Sequence, residues 1–246
     1  MSLQYQPDDE SESVPAGEVN GEIARPNPPL YTYILIGSII AVAIVQLGTG
    51  LAASIENAGF DKAAFINGRE YWRILTGAAT HGSVLHVAMN CYAFYSFGSI
   101  VEMLSNRAHL AIVFLLSALG GGVLSLIFLP GGISVGASGG IVGIIGYLLI
   151  YAFRRRQFIS AEFRKSLLIN IGFMLIYGLV LYNVIDNFAH IGGLATGAVY
   201  GLLQIPTDEH TDPREASPTV EAAGVAAVGI YEATCIFSIL LILRIV

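Results

Sequence analysis

One serine in the sequence has surroundings that suit a nucleophile. Ser138 lies within the segment Gly136–Gly140 (GASGG), which follows the Pro130–Gly132 break and opens a predicted helix. A serine at a helix start has free backbone N–H groups beside it, at the positive end of the helix dipole. Because such donors stabilise an oxyanion, this position suits attack by the serine hydroxyl on a carbonyl group.

A serine nucleophile needs a base, and histidine is the usual one. The candidate is His190, which opens another predicted helix. Small residues recur at helical spacing on both helices: Gly139, Gly143 and Gly146 after the serine, and Gly193, Gly197 and Gly201 after the histidine. Such repeats let two membrane helices approach closely. Close packing of these two helices would bring the Ser138 hydroxyl within hydrogen-bonding distance of His190.

Two further polar residues could complete the site. His86 and Asn90 are four residues apart, so they share one face of a predicted helix. Both side chains can donate a hydrogen bond to a developing oxyanion. His81, five residues before His86, adds another imidazole to the same region.

The composition sets the solvent in which this chemistry would occur. The chain has 246 residues, of which 54% are hydrophobic and only 12% are charged, against about 25% charged in an ordinary soluble domain. This excludes a disordered chain, a nucleic-acid binder built on basic patches and a simple soluble enzyme. Cys91 and Cys235 lie in apolar runs, and neither CxxC nor a Cys/His zinc spacing occurs. We therefore expect a membrane protein with no metal and no cofactor.

The apolar residues fall into seven segments that are long enough to span a bilayer, which takes about 20 residues. They cover about 31–53, 81–101, 109–129, 136–154, 166–182, 187–205 and 223–243. The predicted organisation is a disordered cytoplasmic tail at 1–30, a six-helix core at 31–205 with a first loop at about 54–80, a polar linker at 206–222, and a seventh transmembrane helix at 223–246. The predicted fold class is an all-α polytopic helical bundle.

Basic residues predict the orientation of these segments. Five of them lie between the fourth and fifth segments: Arg154, Arg155, Arg156, Arg164 and Lys165. The positive-inside rule places that loop in the cytoplasm, so the N-terminus is cytoplasmic and the C-terminus is outside. The second, fourth and sixth segments then run inward, with their polar residues in the first two or three turns. At 1.5 Å per residue these polar residues lie at similar shallow depths below the outer face.

Four motifs of the sequence resemble those of the rhomboid intramembrane serine proteases. They are Glu70-Tyr71-Trp72-Arg73 in the first loop, His81-x4-His86-x3-Asn90, Gly136-Ala137-Ser138-Gly139 and Ala189-His190-x2-Gly193. The motifs occur in the family's order, on the corresponding segments, and the resemblance covers about residues 31–205.

The resemblance implies a Ser138–His190 catalytic dyad. The oxyanion hole would be formed by His86, Asn90 and the Ser138 amide, and Gly136 would shape the active-site turn. Trp72 and Arg73 would have a structural role in the first loop. The implied substrates are single-span membrane proteins, cleaved near their outer end, and the short tails favour a bacterial plasma membrane.

Two departures from the family pattern stand out. Val142 occupies the position, four residues after the nucleophile, where many members carry an aromatic residue that supports the histidine ring. The seventh helix follows the core, an arrangement that the family also contains. Two carboxylates stay open: Asp186 either orients His190 or is solvated in its loop, and Glu232 either faces the bundle passively or docks the seventh helix.

Two other functions are compatible with parts of the pattern. One is a catalytically silent rhomboid-like protein that binds membrane clients, although such relatives typically lack the serine or the histidine. The other is a transporter or metal-site protein that uses His81, His86 and His190, since three imidazoles can hold zinc. No HExxH motif is present to support the second alternative.

Overall fold

The structure, a computed structural model, describes residues 28–208 and 210–246. Most of the predicted N-terminal tail therefore lies outside the described residues. Within them the chain is a helical bundle, as its sequence predicts. The long helices are α1 (Leu30–Thr49), α5 (Val84–Leu104), α6 (Arg107–Phe128), α7 (Ser138–Arg154), α8 (Ala161–Val180), α9 (Asn187–Gln204) and α10 (Pro218–Ile242).

Five helices of the described chain are long and apolar enough to cross a membrane, namely α1, α5, α6, α8 and α10. Helix α7 is apolar but has only 17 residues. The chain is therefore an integral membrane protein, which agrees with the composition.

Helix α7 forms the centre of the bundle. Every residue from Gly139 to Leu148 is buried, which is the pattern of a helix that is surrounded by others. Its closest neighbour is α9. A Cβ atom on Gly193 or Gly197 would overlap the backbone oxygen of Gly139 or Gly143, respectively. The two helices thus approach as closely as their glycine repeats predict.

The first loop is folded rather than extended. It contains α2 (Leu51–Ala58), β1 (Phe60–Asp61), α3 (Lys62–Asn67) and α4 (Arg73–Ala79). Strand β1 pairs antiparallel with β2 (Ile133–Ser134), which lies just before the nucleophile segment. The Gly136 N–H also donates to the Gly77 carbonyl at 2.9 Å. The first loop is therefore attached directly to the chain that leads into α7.

Trp72 and Arg73 make contacts both within the first loop and to α10. The Arg73 guanidinium donates to the carbonyl oxygens of Glu56 (3.1 Å) and Gly59 (2.9 Å) and pairs with the Glu70 carboxylate. The Trp72 ring packs edge-on against Phe237 of α10, at 5.9 Å between centroids. These contacts support the structural role that the motif implies for both residues.

Helix α10, which corresponds to the predicted seventh transmembrane helix, packs along α1, α4 and α6. Glu232 faces α1, where both of its carboxyl oxygens lie 2.6 Å from the Ser38 hydroxyl. The adjacent residue, Tyr231, also contacts the core: its hydroxyl donates to the Ala78 carbonyl of α4 at 3.2 Å. Of the two interpretations of Glu232, these contacts favour docking of α10 on the core.

Candidate active site

The serine and the histidine face each other across the α7–α9 contact. Ser138 is the first residue of α7, and His190 is the fourth residue of α9. The Ser138 Oγ lies 2.9 Å from the His190 Nε2, which is hydrogen-bonding distance. His190 is only 7% exposed. The close helix packing therefore brings the hydroxyl of the half-buried Ser138 and the buried imidazole of His190 together.

The other ring nitrogen of His190 has no partner among the described residues. Asp186 does not reach it, although it lies four residues earlier. The Asp186 side chain instead caps α9, accepting the Ala189 N–H at 3.0 Å, and it is mostly buried, at 17% exposure. Neither predicted role of Asp186 therefore fits: its carboxylate does not orient the imidazole, and it is not a solvated loop residue.

His86 and Asn90 lie beside the segment that leads into the nucleophile. A Cβ atom on Gly136 would come within 2.8 Å of the His86 Nε2 and 3.5 Å of the Asn90 Nδ2. Gly136 also has a φ of +121°, in the region that favours glycine. Backbone conformation and space thus both require glycine two residues before Ser138.

Both side chains present hydrogen-bond donors to this space. The His86 Nδ1 accepts a long hydrogen bond from the Gly82 N–H, at 3.5 Å. In a neutral imidazole whose Nδ1 is the acceptor, the ring proton is on Nε2. The Asn90 Nδ2 is buried and has no partner among the described residues. A buried donor without an acceptor is costly, by about 1–3 kcal/mol. A substrate oxygen placed here would relieve that cost.

His81 has a structural position. It is fully buried between α4 and α5, where its backbone exchanges hydrogen bonds with the Gln46 side chain of α1 (3.0 and 3.1 Å). Within the described residues, no group of three or more His, Cys, Asp or Glu side chains is arranged to hold a metal ion.

Val142 lies one turn along α7 from Ser138 and is buried. The site consequently lacks an aromatic side chain at this position of α7. The packing of α9 against α7 and the contacts at the start of α9 therefore place the imidazole of His190.

A polar cluster that the sequence pattern does not predict lies at the start of α9. Asp186 is surrounded by Lys62 of α3, Ser125 of α6 and Ser134 of β2. Asp is a favoured N-cap residue, so its capping role was readable from its place before a helix. The other three residues come from distant parts of the chain, and no local pattern marks them.

The match to known proteins covers the same region. Residues 68–207, more than half of the chain, match the family model described as the Rhomboid domain. This range contains Ser138, His190, His86 and Asn90.

Three curated relatives illustrate the range of the similarity. The chain is 33% identical over 155 residues to RHOMBOID-like protein 6, mitochondrial, of Arabidopsis thaliana. It is 30% identical over 172 residues to the Rhomboid protease GluP of Bacillus subtilis, and 30% identical over 139 residues to the Inactive rhomboid protein 1 of Bos taurus. These matches cover 62%, 69% and 56% of the chain, but only 50%, 34% and 16% of the respective relatives. The chain thus spans half or less of the length of these proteins.

Proposed function

The chain belongs to the rhomboid family, and we propose that it is an intramembrane serine endopeptidase in which Ser138 and His190 form the catalytic dyad. The observation that carries this proposal is the 2.9 Å contact between the Ser138 Oγ and the His190 Nε2. The buried Asn90 Nδ2 near Gly136 has no partner among the described residues, so it adds a donor that is available to a substrate oxygen.

The proposed reaction is acyl transfer to Ser138. His190 takes the hydroxyl proton as the Ser138 Oγ attacks the scissile carbonyl, and then returns it to the leaving amine. The oxyanion accepts hydrogen bonds from the His86 Nε2, the Asn90 Nδ2 and the Ser138 N–H, which as the first amide of α7 has no intrahelical acceptor. Water then hydrolyses the acyl-enzyme and frees Ser138.

Single-span membrane proteins are the proposed substrates. Because Ser138 and His190 begin their helices, the site lies near one end of the bundle, and a substrate would be cut near the matching end of its span. Arg154 ends α7 at the opposite end, where the basic cluster predicts the cytoplasm. Cleavage is therefore proposed near the outer face, with the plasma membrane of a bacterium as the location.

The similarity to an inactive rhomboid favours one alternative, a catalytically silent protein that binds membrane clients. Val142 is compatible with it, since the ring of His190 lacks the aromatic support found in many members. The presence of both Ser138 and His190 in hydrogen-bonding contact favours the protease instead.

A substrate-based assay tests the proposal. An intact helix shields its carbonyl groups, so a substrate must unwind at the cut. The purified protein in liposomes should cleave a single-span substrate that carries two glycines near its outer end. Changing both glycines to alanine raises the cost of unwinding by about 2 kcal/mol and should slow cleavage about 30-fold.

The matched control places the same two changes at the inner end of the substrate, where they should leave the rate unchanged. Equal rates for the stiffened and the flexible outer end would contradict local unwinding. Absence of any cleavage by folded protein, with every substrate of a panel, would favour the silent alternative.

A further inference from the structure

Asp186 is fixed in place from several sides. Its Oδ1 accepts the Ala189 N–H at 3.0 Å, and its Oδ2 accepts hydrogen bonds from the Ser134 hydroxyl (2.7 Å) and the Ser125 hydroxyl. Its backbone carbonyl accepts the N–H of His190 at 3.3 Å. The first turn of α9, which ends at His190, is therefore anchored through this one residue.

Lys62 approaches the same carboxylate from the first loop. Its Nζ lies 2.8 Å from the Ser134 Oγ and 3.6 Å from the Asp186 Oδ2, and the residue is only 2% exposed. Lysine is almost never fully buried unless it is paired. The Asp186 carboxylate supplies the countercharge that makes this burial possible.

The surroundings of the pair lower both pKa values, which disfavours the charged form of Lys62 and favours the charged form of Asp186. Burial lowers the pKa of Lys62, and Asp186 only partly opposes this. Burial also opposes ionisation of Asp186, but the hydrogen bonds from Ser125 and Ser134, the Ala189 amide and the Lys62 charge outweigh it and lower the pKa of Asp186. The carboxylate is therefore ionised near pH 7.

Ser134 connects this pair to the nucleophile. It ends β2, four residues before Ser138, and its hydroxyl accepts from Lys62 while donating to Asp186. Asp186 in turn lies four residues before His190. Ser138 and His190 thus each lie four residues after a member of the hydrogen-bonded group formed by Lys62, Ser134 and Asp186.

We propose that Lys62, Ser134 and Asp186 act together as positioning residues, which set the separation of Ser138 and His190 and couple it to the seating of the first loop. The proposal rests on the proposed protease function, and it adds a role for the first loop in holding the dyad. Such positioning matters because a misplacement of about 1 Å can cost about 100-fold in rate.

Two single variants break the pair differently. Asp186→Asn keeps a good N-cap oxygen, but it replaces the second carboxylate oxygen with an NH2 group, so it removes the acceptor for the two serine hydroxyls and the countercharge of Lys62. Lys62→Met removes the ammonium and leaves Asp186 bonded to the serines and the Ala189 amide. We expect each variant to lower kcat about 10-fold to 100-fold with KM nearly unchanged. Asp186→Asn should also lower Tm more, because it leaves a buried lysine unpaired.

The double variant Lys62→Met/Asp186→Asn separates positioning from stability. With both charges gone, Tm should recover most of the loss seen in Asp186→Asn, whereas kcat should stay low. Recovery of kcat together with Tm would overturn the proposal, because the pair would then matter only for stability. Asp212→Asn is the matched control, since Asp212 forms an exposed ion pair with Arg214 in the segment after α9; it should change neither value.

A distance measurement distinguishes failure of this proposal from failure of the proposed function. Spin labels at Ile66 of α3 and Val184, which is two residues before Asp186, would be introduced as cysteines in a background free of Cys91 and Cys235; both positions are exposed. The inter-label distance should be narrowly distributed, and Asp186→Asn should broaden it. An unchanged distribution would contradict the positioning role, whether or not the protein cleaves any substrate.

Discussion

Replacing Ser138 with alanine is expected to abolish cleavage of a transmembrane substrate, and replacing His190 with alanine is expected to do nearly the same. The serine supplies the atom that attacks the carbonyl, and the histidine accepts its proton, so neither group works without the other. Loss of either should lower kcat by at least about 10⁴-fold. The double variant should be no worse than the single variants, since the two residues act as one unit.

Matched controls exist for both residues. Ser99→Ala changes a serine of α5 whose hydroxyl bonds its own helix at the Tyr95 carbonyl, and His210→Ala changes an exposed histidine in the segment after α9. Both controls should keep the wild-type rate. Cleavage by purified Ser138→Ala at more than a small fraction of that rate would remove Ser138 from the mechanism.

His86→Ala and Asn90→Ala are expected to lower kcat about 10²-fold to 10³-fold each, which is typical of losing one oxyanion donor. The Nε2 of His86 and the Nδ2 of Asn90 lie against Gly136, next to the nucleophile. Because the oxyanion exists only in the transition state and the intermediate, KM should change little. Initial rates over a range of substrate concentrations in liposomes would separate kcat from KM.

Met89→Ala serves as the control for this pair of variants. Met89 precedes Asn90 on α5, but its side chain is 54% exposed on the outside of the bundle. This variant should retain the wild-type rate. A rise in KM with unchanged kcat in His86→Ala and Asn90→Ala would mean that both side chains bind the substrate as strongly in its ground state as in the transition state. They would then not act as oxyanion donors.

The contact between Ser138 and His190 could be predicted from the sequence because local spacing encodes it. The glycine repeats that begin at Gly139 and Gly193 specify which faces of α7 and α9 meet, and Ser138 and His190 lie at the ends of those faces. His86 and Asn90 are four residues apart, and this spacing places them on one face of α5. Helical periodicity therefore determines most of the candidate site.

The first loop could not be predicted in this way. Its strand β1 pairs with β2, more than seventy residues later in the chain, and such pairing leaves no periodic signal in either segment. The burial of Lys62 likewise depends on Asp186, which is distant in sequence but close in space. Interactions of this kind arise from the tertiary fold, and residue spacing within one segment does not report them.

The role of Asp186 shows the same limit at a single residue. Its position four residues before His190 suggested a contact with the imidazole, which a helix beginning one turn earlier would have allowed. Because α9 begins at Asn187, the carboxylate of Asp186 turns back to cap the helix and meets Lys62 and Ser134 instead. One turn of helix thus decides between orienting the base directly and anchoring the helix that carries it.

A fluorophosphonate probe tests, without any knowledge of the substrate, whether Ser138 is the activated nucleophile that we propose. The purified protein would be treated with the probe in mild detergent, and mass spectrometry would locate the adduct. We predict a single adduct on Ser138, absent from Ser138→Ala and strongly reduced in His190→Ala. If the folded wild-type protein took up no probe, or if labelling persisted in Ser138→Ala, Ser138 would not be an activated nucleophile.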